Sequence, residues 1–176
     1  VNRHVKTTIM QNFPPRVFFD DLTARDNAVA PRADLYVAGF PCQPFSSAGL
    51  QQGFSDRRGR GEIFFHVRDY IEKQTPKVFV LENVSGLVKL NGGGYFRAIV
   101  QALETLGCYN IYHRILDTKE HGVPQSRPRI YFVGIHRSCD DGSFRFPEPV
   151  ERPSIELFLE PRKSEPSASD LPPQSQ

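Results

Sequence analysis

The sequence predicts an α/β domain whose sheet is largely parallel. Unbroken apolar runs, the clearest at residues 77–81, are typical of strands buried on both faces of a parallel sheet. Apolar residues at intervals of three and four, as in residues 63–71, are typical of amphipathic helices. With 176 residues and a 39% hydrophobic share, the chain fits one domain with a single core.

The elements follow in order from these patterns. A first helix carries Val5, Ile9 and Phe13 on one face, and two prolines end it. A turn rather than a phosphate loop is expected at residues 91–94, because the glycines there lack a following Lys-Ser/Thr. The remaining segments are predicted from the same signals: strands at 17–19, 35–38, 77–81, 111–116 and 130–135, and helices at 63–71, 96–106 and 154–159.

Composition limits the function classes without selecting one. The net charge of +2 neither identifies nor excludes a nucleic-acid partner, since a local basic patch matters more than the sum. The three cysteines form no Cys-x-x-Cys pair, so neither a disulfide framework nor a metal site is favoured. A reducing compartment is the default, and no signal peptide or membrane-spanning run is found. We therefore expect an intracellular protein, nuclear if eukaryotic and otherwise cytoplasmic.

Cys42 lies on a stiffened loop directly after the strand at 35–38. Pro41 and Pro44 flank it, and each proline restricts both its own φ and the residue before it. The carboxyl end of a strand in an open α/β sheet is where ligands usually bind. A cysteine that only fills a core would gain nothing from such support, so a nucleophile is favoured.

Other polar groups follow strands in the same way. Asp21 and Glu82 come after the strands at 17–19 and 77–81, and Arg127 and Arg129 lie on a later loop. Together with Cys42 they make a possible covalent site. Each alone has a plainer explanation, as a helix cap, an ion-pair partner or a solvated turn. A Cys-His hydrolase is the nearest rival, but the local signatures of such enzymes are absent.

Three motifs resemble, in order and spacing, those of the DNA cytosine-5 methyltransferases. They are Gly-Phe-Pro-Cys-Gln-Pro-Phe-Ser at 39–46, Leu-Glu-Asn-Val at 81–84 and Gln-x-Arg-x-Arg at 125–129. Asp-Leu-Thr at 21–23 and Arg-Gly-Glu-Ile-Phe-Phe at 60–65 are similar to two looser motifs. The resemblance covers about residues 1–149.

The resemblance implies a Rossmann-like, S-adenosylmethionine-dependent methyltransferase sheet that is incomplete, since the family's first βαβ unit has no counterpart here. Residues 1–149 would form part of the catalytic domain. Residues 150–176, rich in proline and serine toward their end, would be a mostly disordered tail that starts the link to a target-recognition region.

The resemblance also implies a role for each site residue. Cys42 would add to C6 of a flipped-out cytosine, Glu82 would hold N3, and Arg129 would bind O2 with support from Arg127. The expected cofactor is S-adenosylmethionine and the expected partner is duplex DNA, with no metal and no membrane. Cofactor contacts are expected from Asp21, Leu22, Phe40, Pro41 and Ile63. DNA contacts are expected from Gln43, Ser46, Arg57, Arg58 and Arg60.

Two alternatives remain open. The first is the related enzyme type that methylates cytosine in transfer RNA, which shares the chemistry but resembles this sequence less, since its cysteine loop and arginine motif usually differ in flanking residues. The other is a non-catalytic relative that serves as a scaffold or DNA-binding module. The family's Phe-x-Gly-x-Gly loop, which cradles the cofactor, is the feature that separates an enzyme from a scaffold.

Because that loop does not occur in these residues, we expect the 176-residue chain by itself to bind S-adenosylmethionine weakly or not at all. Isothermal titration calorimetry of the chain checks this expectation. Heats of binding like those of a whole cytosine-5 methyltransferase would contradict it.

Overall fold

The computed structural model describes residues 2–41 and 63–160. Within these ranges the chain forms three α-helices and four strands that confirm most of the predicted elements. Their bounds are α1 Arg3–Asn12, β1 Leu35–Gly39, α2 Ile63–Gln74, β2 Val78–Val84, α3 Gly94–Glu104, β3 Tyr109–Asp117 and β4 Pro128–His136.

The four strands form one mixed sheet in the order β1-β2-β4-β3. β1 and β2 are parallel, whereas β4 is antiparallel to both of its neighbours, β2 and β3. The expectation of a largely parallel sheet is therefore wrong for two of the three pairings. The connection of residues 118–127 explains the β3–β4 pairing, because it can return the chain as a hairpin but is too short for a crossover helix. β4 is then antiparallel to β2 as well, because β2 and β3 run in the same direction.

The main core cluster lies on one face of the sheet, although β4 also buries side chains on the other face. Phe79 and Leu81 of β2 and Phe132 of β4 are fully buried in this cluster against α2 and α3. The other face of β2 is only half-buried, so the prediction of burial on both faces is also wrong. On that second face Leu35 and Val37 of β1 are 57% and 64% exposed.

The stretch at 17–19 is not a strand, which corrects the prediction made from its apolar residues. Val17 and Phe19 are 49% and 40% exposed, and no described strand pairs with the stretch. A strand needs a neighbour to satisfy its backbone groups. α1 forms as predicted, but none of its residues is buried, and Lys6 ties it to Asp20 at 2.8 Å.

The predicted turns are present. Asn91 and Gly92 have φ values of +53° and +57°, the left-handed conformation expected of an Asn-Gly turn. The predicted helix at 154–159 is a single 3₁₀ turn, Ile155–Phe158. None of the helices in residues 2–41 and 63–160 has the length and apolar character needed to span a membrane.

Gly134 of β4 sits against the buried ring of Phe79, its register partner on β2. A Cβ placed at Gly134 would lie 2.1 Å from that ring, far inside van der Waals contact. We expect Gly134→Ala to lower the free energy of unfolding by about 3 kcal/mol, because the fully buried ring has no space to move into. Urea denaturation measures the change.

The matched test is a double-mutant cycle with Phe79→Leu, which removes the obstructing ring. The double variant is expected to be more stable than the sum of the two single changes predicts. Additive effects, or a Gly134→Ala variant as stable as the parent, would contradict the packing argument.

Candidate active site

Four strand ends meet at one edge of the sheet. β1, β2 and β3 run in one direction, and β4 runs against them. The carboxyl ends of the first three strands therefore lie beside the amino end of β4. This arrangement brings Glu82, near the end of β2, next to Arg129, near the start of β4.

Glu82 and Arg129 form an ion pair at this edge. Nε of Arg129 lies 2.8 Å from Oε1 of Glu82, and the side chains of Arg129 and Glu82 are 18% and 33% exposed. The register explains the contact, because Glu82 is paired with Tyr131 and Arg129 with Val84. The two charged residues are thus diagonal neighbours on one face, a separation that a long side chain spans.

The neighbouring backbone also determines the surroundings of the other polar atoms of Glu82 and Arg129. Gly39 of β1 is the register partner of Glu82, and a Cβ there would lie 3.3 Å from Oε2 of Glu82. A glycine at this position keeps the approach to Oε2 open. On the other side, Nη1 of Arg129 donates to the carbonyl of Pro128 at 2.9 Å, which restrains the guanidinium group.

Asn83 joins the ends of β1 and β2. Its side chain is buried, donates from Nδ2 to the carbonyl of Phe40 at 3.3 Å and accepts from the backbone N–H of Val84 at 2.8 Å. Phe40 is itself buried, with its ring centroid 5.6 Å from that of Phe64. The backbone two residues before Cys42 is therefore held by both a hydrogen bond and the core.

Three of the residues predicted to contact a cofactor belong to one apolar cluster. Phe40 is part of the buried core, and the half-buried side chains of Leu22 and Ile63 pack against that core. Pro41 follows Phe40 and is half-buried. The fold thus brings together side chains from three separate segments of the chain.

Asp21 precedes Leu22, and its carboxylate caps the turn that follows. Oδ1 accepts from the hydroxyl and the backbone N–H of Thr23, at 2.7 and 2.8 Å. These hydrogen bonds, the hydroxyl's first, hold the pKa of Asp21 below its ordinary value. The carboxylate is exposed and ionised at neutral pH, with Oδ2 available as an acceptor.

Arg127 lies on the connection between β3 and β4, and its side chain is exposed. Its backbone N–H donates to Oδ1 of Asp117 at 2.7 Å. Burial raises the pKa of Asp117, but hydrogen bonds from Arg127, Lys119 and Ser126 outweigh burial and hold that pKa below its ordinary value.

Asp117 was not identified from the sequence. The available signal was the one used for Asp21 and Glu82, an acidic residue directly after a predicted strand, here the strand at 111–116.

Six of the predicted site residues lie outside the described part of the chain. They are Cys42, Gln43, Ser46, Arg57, Arg58 and Arg60. The residues that the structure does describe contain no group of three or more metal-ligating side chains. The site geometry is therefore that of the ends of β1 and β2, the start of β4 and the apolar cluster beside them.

Comparison with known proteins yields one family. The family model for C-5 cytosine-specific DNA methylases matches residues 1–170. The chain is 42% identical over 151 residues to the Type II methyltransferase M.NgoBI of Neisseria gonorrhoeae, a match that covers 85% of this chain and 46% of the relative. The corresponding values for M.HaeII of Haemophilus aegyptius are 39%, 151 residues, 85% and 45%. The chain thus spans about half the length of these curated relatives.

Solved structures agree on the fold. The Entamoeba histolytica methyltransferase EhMeth has a TM-score of 0.69 at 19% identity, and the match covers 93% of this chain and 51% of that one. The S. pombe Dnmt2 methyltransferase has a TM-score of 0.62 at 18% identity, with the same coverage. The incomplete Rossmann-like sheet predicted from the sequence is confirmed by these likenesses.

The half-buried position of the Glu82–Arg129 pair predicts a measurable coupling. A double-mutant cycle of Glu82→Gln and Arg129→Gln is expected to give about 1–2 kcal/mol of coupling free energy in urea denaturation. The matched control is the Arg68–Glu72 pair on α2, which has the same 2.8 Å distance but a 53% exposed carboxylate. Exposed helical pairs of this kind contribute about 0.3–0.5 kcal/mol. Equal coupling in the two cycles would show that burial adds nothing at the sheet edge.

Proposed function

This chain belongs to the C-5 cytosine-specific DNA methylase family, and on that premise we propose that it is a segment of a DNA cytosine-5 methyltransferase. The enzyme would transfer a methyl group from S-adenosylmethionine to C5 of a cytosine flipped out of duplex DNA. The observation that carries the proposal is the Glu82–Arg129 ion pair at 2.8 Å, positioned beside the strand that leads to Cys42.

The nucleophile in this proposal is the Cys42 thiolate. C5 of cytosine is too electron-poor to attack a methyl group directly. Formation of a bond between the Cys42 sulfur and C6 would displace the C5–C6 π electrons toward C5 and make C5 nucleophilic. C5 would then form a bond to the methyl group as the methyl–sulfonium bond breaks, which leaves S-adenosylhomocysteine. Loss of the C5 proton to water would return its electron pair to the C5–C6 bond, expel the Cys42 thiolate from C6 and restore the aromatic ring.

Glu82 and Arg129 would bind the polar edge of the same ring. Oε1 of Glu82 is engaged with Arg129, while Oε2 lies beside Gly39, where the absence of a side chain leaves an approach. Oε2 is thus suited to hold a proton on N3 or to accept from the exocyclic amine. Arg129 is restrained by Glu82 and Pro128, so its remaining N–H groups can donate to O2 as charge develops.

S-adenosylmethionine would supply the electrophilic methyl group when bound. The described residues fit part of such a site. Leu22 and Ile63 are half-buried and provide apolar surface for a planar base, and both pack against the core that contains the buried Phe40. Asp21 is ionised, and its Oδ2 suits it to accept from an exocyclic amine. Pro41 would lie between the cofactor and the cytosine.

Duplex DNA is the proposed substrate, and its target cytosine would have to leave the duplex, because C6 is inaccessible while the base is stacked. Gln43 and Ser46 would contact the DNA near the flipped base. Arg57, Arg58 and Arg60 would bind phosphates, which gives salt-dependent affinity without base specificity. The match to the DNA methylase family favours DNA over transfer RNA.

A covalent trap tests the proposal. The natural protein that contains this segment is incubated with S-adenosylmethionine and a duplex carrying 5-fluorocytosine. Fluorine replaces the hydrogen at C5 in this base, and because it cannot leave as a proton does, the final elimination step is blocked. We expect a denaturation-resistant protein–DNA adduct that forms with the parent protein and with Cys139→Ala but not with Cys42→Ala. Cys139 is a suitable control because its thiol is exposed.

Transfer of labelled methyl groups to duplex DNA and to transfer RNA identifies the substrate. Glu82→Gln is expected to lower the rate on DNA by about 10²–10³-fold, as for removal of a group that stabilises developing charge. An adduct that persists in Cys42→Ala would overturn the mechanism. Labelling of transfer RNA alone would overturn the choice of substrate.

A further inference from the structure

Asp117 ends β3 and is the most heavily hydrogen-bonded carboxylate near the candidate site. Its Oδ1 accepts from the backbone N–H of Arg127 at 2.7 Å and of Lys119 at 3.3 Å. Its Oδ2 accepts from the hydroxyl of Ser126 at 3.0 Å and lies 3.5 Å from Nζ of Lys119. The side chain is only 11% exposed.

These contacts hold both ends of the connection between β3 and β4 against the Asp117 side chain. Lys119 lies at the start of the connection, and Ser126 and Arg127 lie at its end. A simple cap of the 3₁₀ turn Thr118–Glu120 would require only the bond to Lys119. The shorter bond goes instead to Arg127, so the carboxylate acts mainly on the segment that enters β4.

The sequence of β4 explains why a side chain is needed here. Asp117 is the register partner of Pro128, the first residue of β4. Proline has no N–H, so the backbone ladder cannot be closed by a donor at position 128. The Asp117 carboxylate instead accepts from the backbone N–H of Arg127, the residue before Pro128. This hydrogen bond determines where β4 begins relative to β3.

The start of β4 also determines the position of Arg129. Arg129 follows Pro128 directly, and the same register that pairs it with Val84 brings its guanidinium to Glu82 at 2.8 Å. A shift of the strand start would move Arg127 and Arg129 together, because only one residue separates them. The active-site arginines are therefore coupled to Asp117 through the backbone.

We propose that Asp117 is a positioning residue for the candidate active site: it anchors the start of β4, and it thereby holds Arg129 against Glu82 and keeps Arg127 at the same edge of the sheet. The inference rests on the proposed function for its catalytic consequence, although the anchoring itself does not. Asp117 touches neither substrate nor cofactor in the proposed mechanism. Its charge is available at neutral pH, since its hydrogen bonds keep its pKa below the ordinary value.

The test compares Asp117→Ala, which removes the acceptor, with Asp117→Asn, which retains an acceptor oxygen for Arg127. The matched control is Asp140→Ala at the opposite edge of the sheet. Asp140 also follows a strand and accepts from Asn110 at 2.6 Å, from Tyr112 at 2.7 Å and from a backbone N–H. Its loss should cost stability without moving Arg129.

The first readout is the Nε–H signal of Arg129 in the nitrogen–proton NMR spectrum of the 176-residue chain, assigned with Arg129→Lys. The Nε–H group donates to Glu82, so its proton exchanges slowly with water while the pair is intact. We expect Asp117→Ala to accelerate its exchange at least about tenfold, and Asp117→Asn and Asp140→Ala to change it less than about threefold. If Asp117→Ala does not fold, Asp117→Val replaces it, because valine favours strands and carries no hydrogen-bond acceptor for Arg127.

The second readout is methyl transfer by the natural protein used in the covalent trap. Asp117→Ala is expected to lower kcat by about 10–100-fold with little change in the KM for S-adenosylmethionine, because misplacement by about 1 Å is sufficient for such a loss. Asp117→Asn is expected to recover most of the rate.

The two readouts separate the two hypotheses. Slow Nε–H exchange that persists in Asp117→Ala, or equal acceleration in Asp140→Ala, would overturn the positioning role. A parent protein that transfers no methyl group, while the Arg129 signal still responds to Asp117→Ala, would overturn the proposed function and leave the anchoring supported.

Discussion

The direction of β4 is the constraint on which the candidate site depends. Because β4 enters the sheet antiparallel to β2, its first residues lie beside the last residues of β2. Arg129 consequently reaches Glu82 across one diagonal step of the ladder. A parallel β4 in the same position would carry Arg129 to the far edge of the sheet, a strand length away. The carboxylate of Glu82 and the guanidinium of Arg129 would then not meet.

The rest of the sheet holds this edge in place with a small number of tight contacts. Gly134 admits the ring of Phe79 between β4 and β2, which allows the two strands to pack closely below the ion pair. Asn83 ties the end of β2 to Phe40, and Phe40 is buried against α2. The charged side chains at this edge are therefore supported by buried apolar side chains, and they cannot be displaced without disturbing the core. Such support is what a site needs if charged groups are to be aimed before a ligand binds.

Partial burial strengthens the interaction between the charges of Glu82 and Arg129 at this edge of the sheet. The Arg129 side chain is 18% exposed, so its charge is screened less than that of a surface arginine, and Glu82 offsets the cost of desolvation. Asp117 contributes differently, since both of its oxygens accept hydrogen bonds from the connection that leads into β4. Asp21 uses only Oδ1 in its own turn, which leaves Oδ2 available.

Local sequence patterns are sufficient to predict most of the element types and the chemical character of the site. Apolar periodicity locates β1, α2, α3, β3 and β4 within a few residues, and the three motifs identify a family that the comparisons confirm. The apolar stretch at 17–19 was wrongly predicted to be a strand, because strand propensity is a local property. A strand also requires a neighbouring strand to pair with its backbone groups.

The direction of β4 and the order of the strands, in contrast, are set by contacts in the folded chain. Both follow from pairings between residues far apart in the chain, such as Val84 with Arg129, and periodicity within one segment carries no information about its partner. For the same reason the contacts of Asp117 could not be predicted, although its place directly after a predicted strand was visible in the sequence. Its importance comes from Pro128, which leaves the ladder without a donor at the point where the two strands meet.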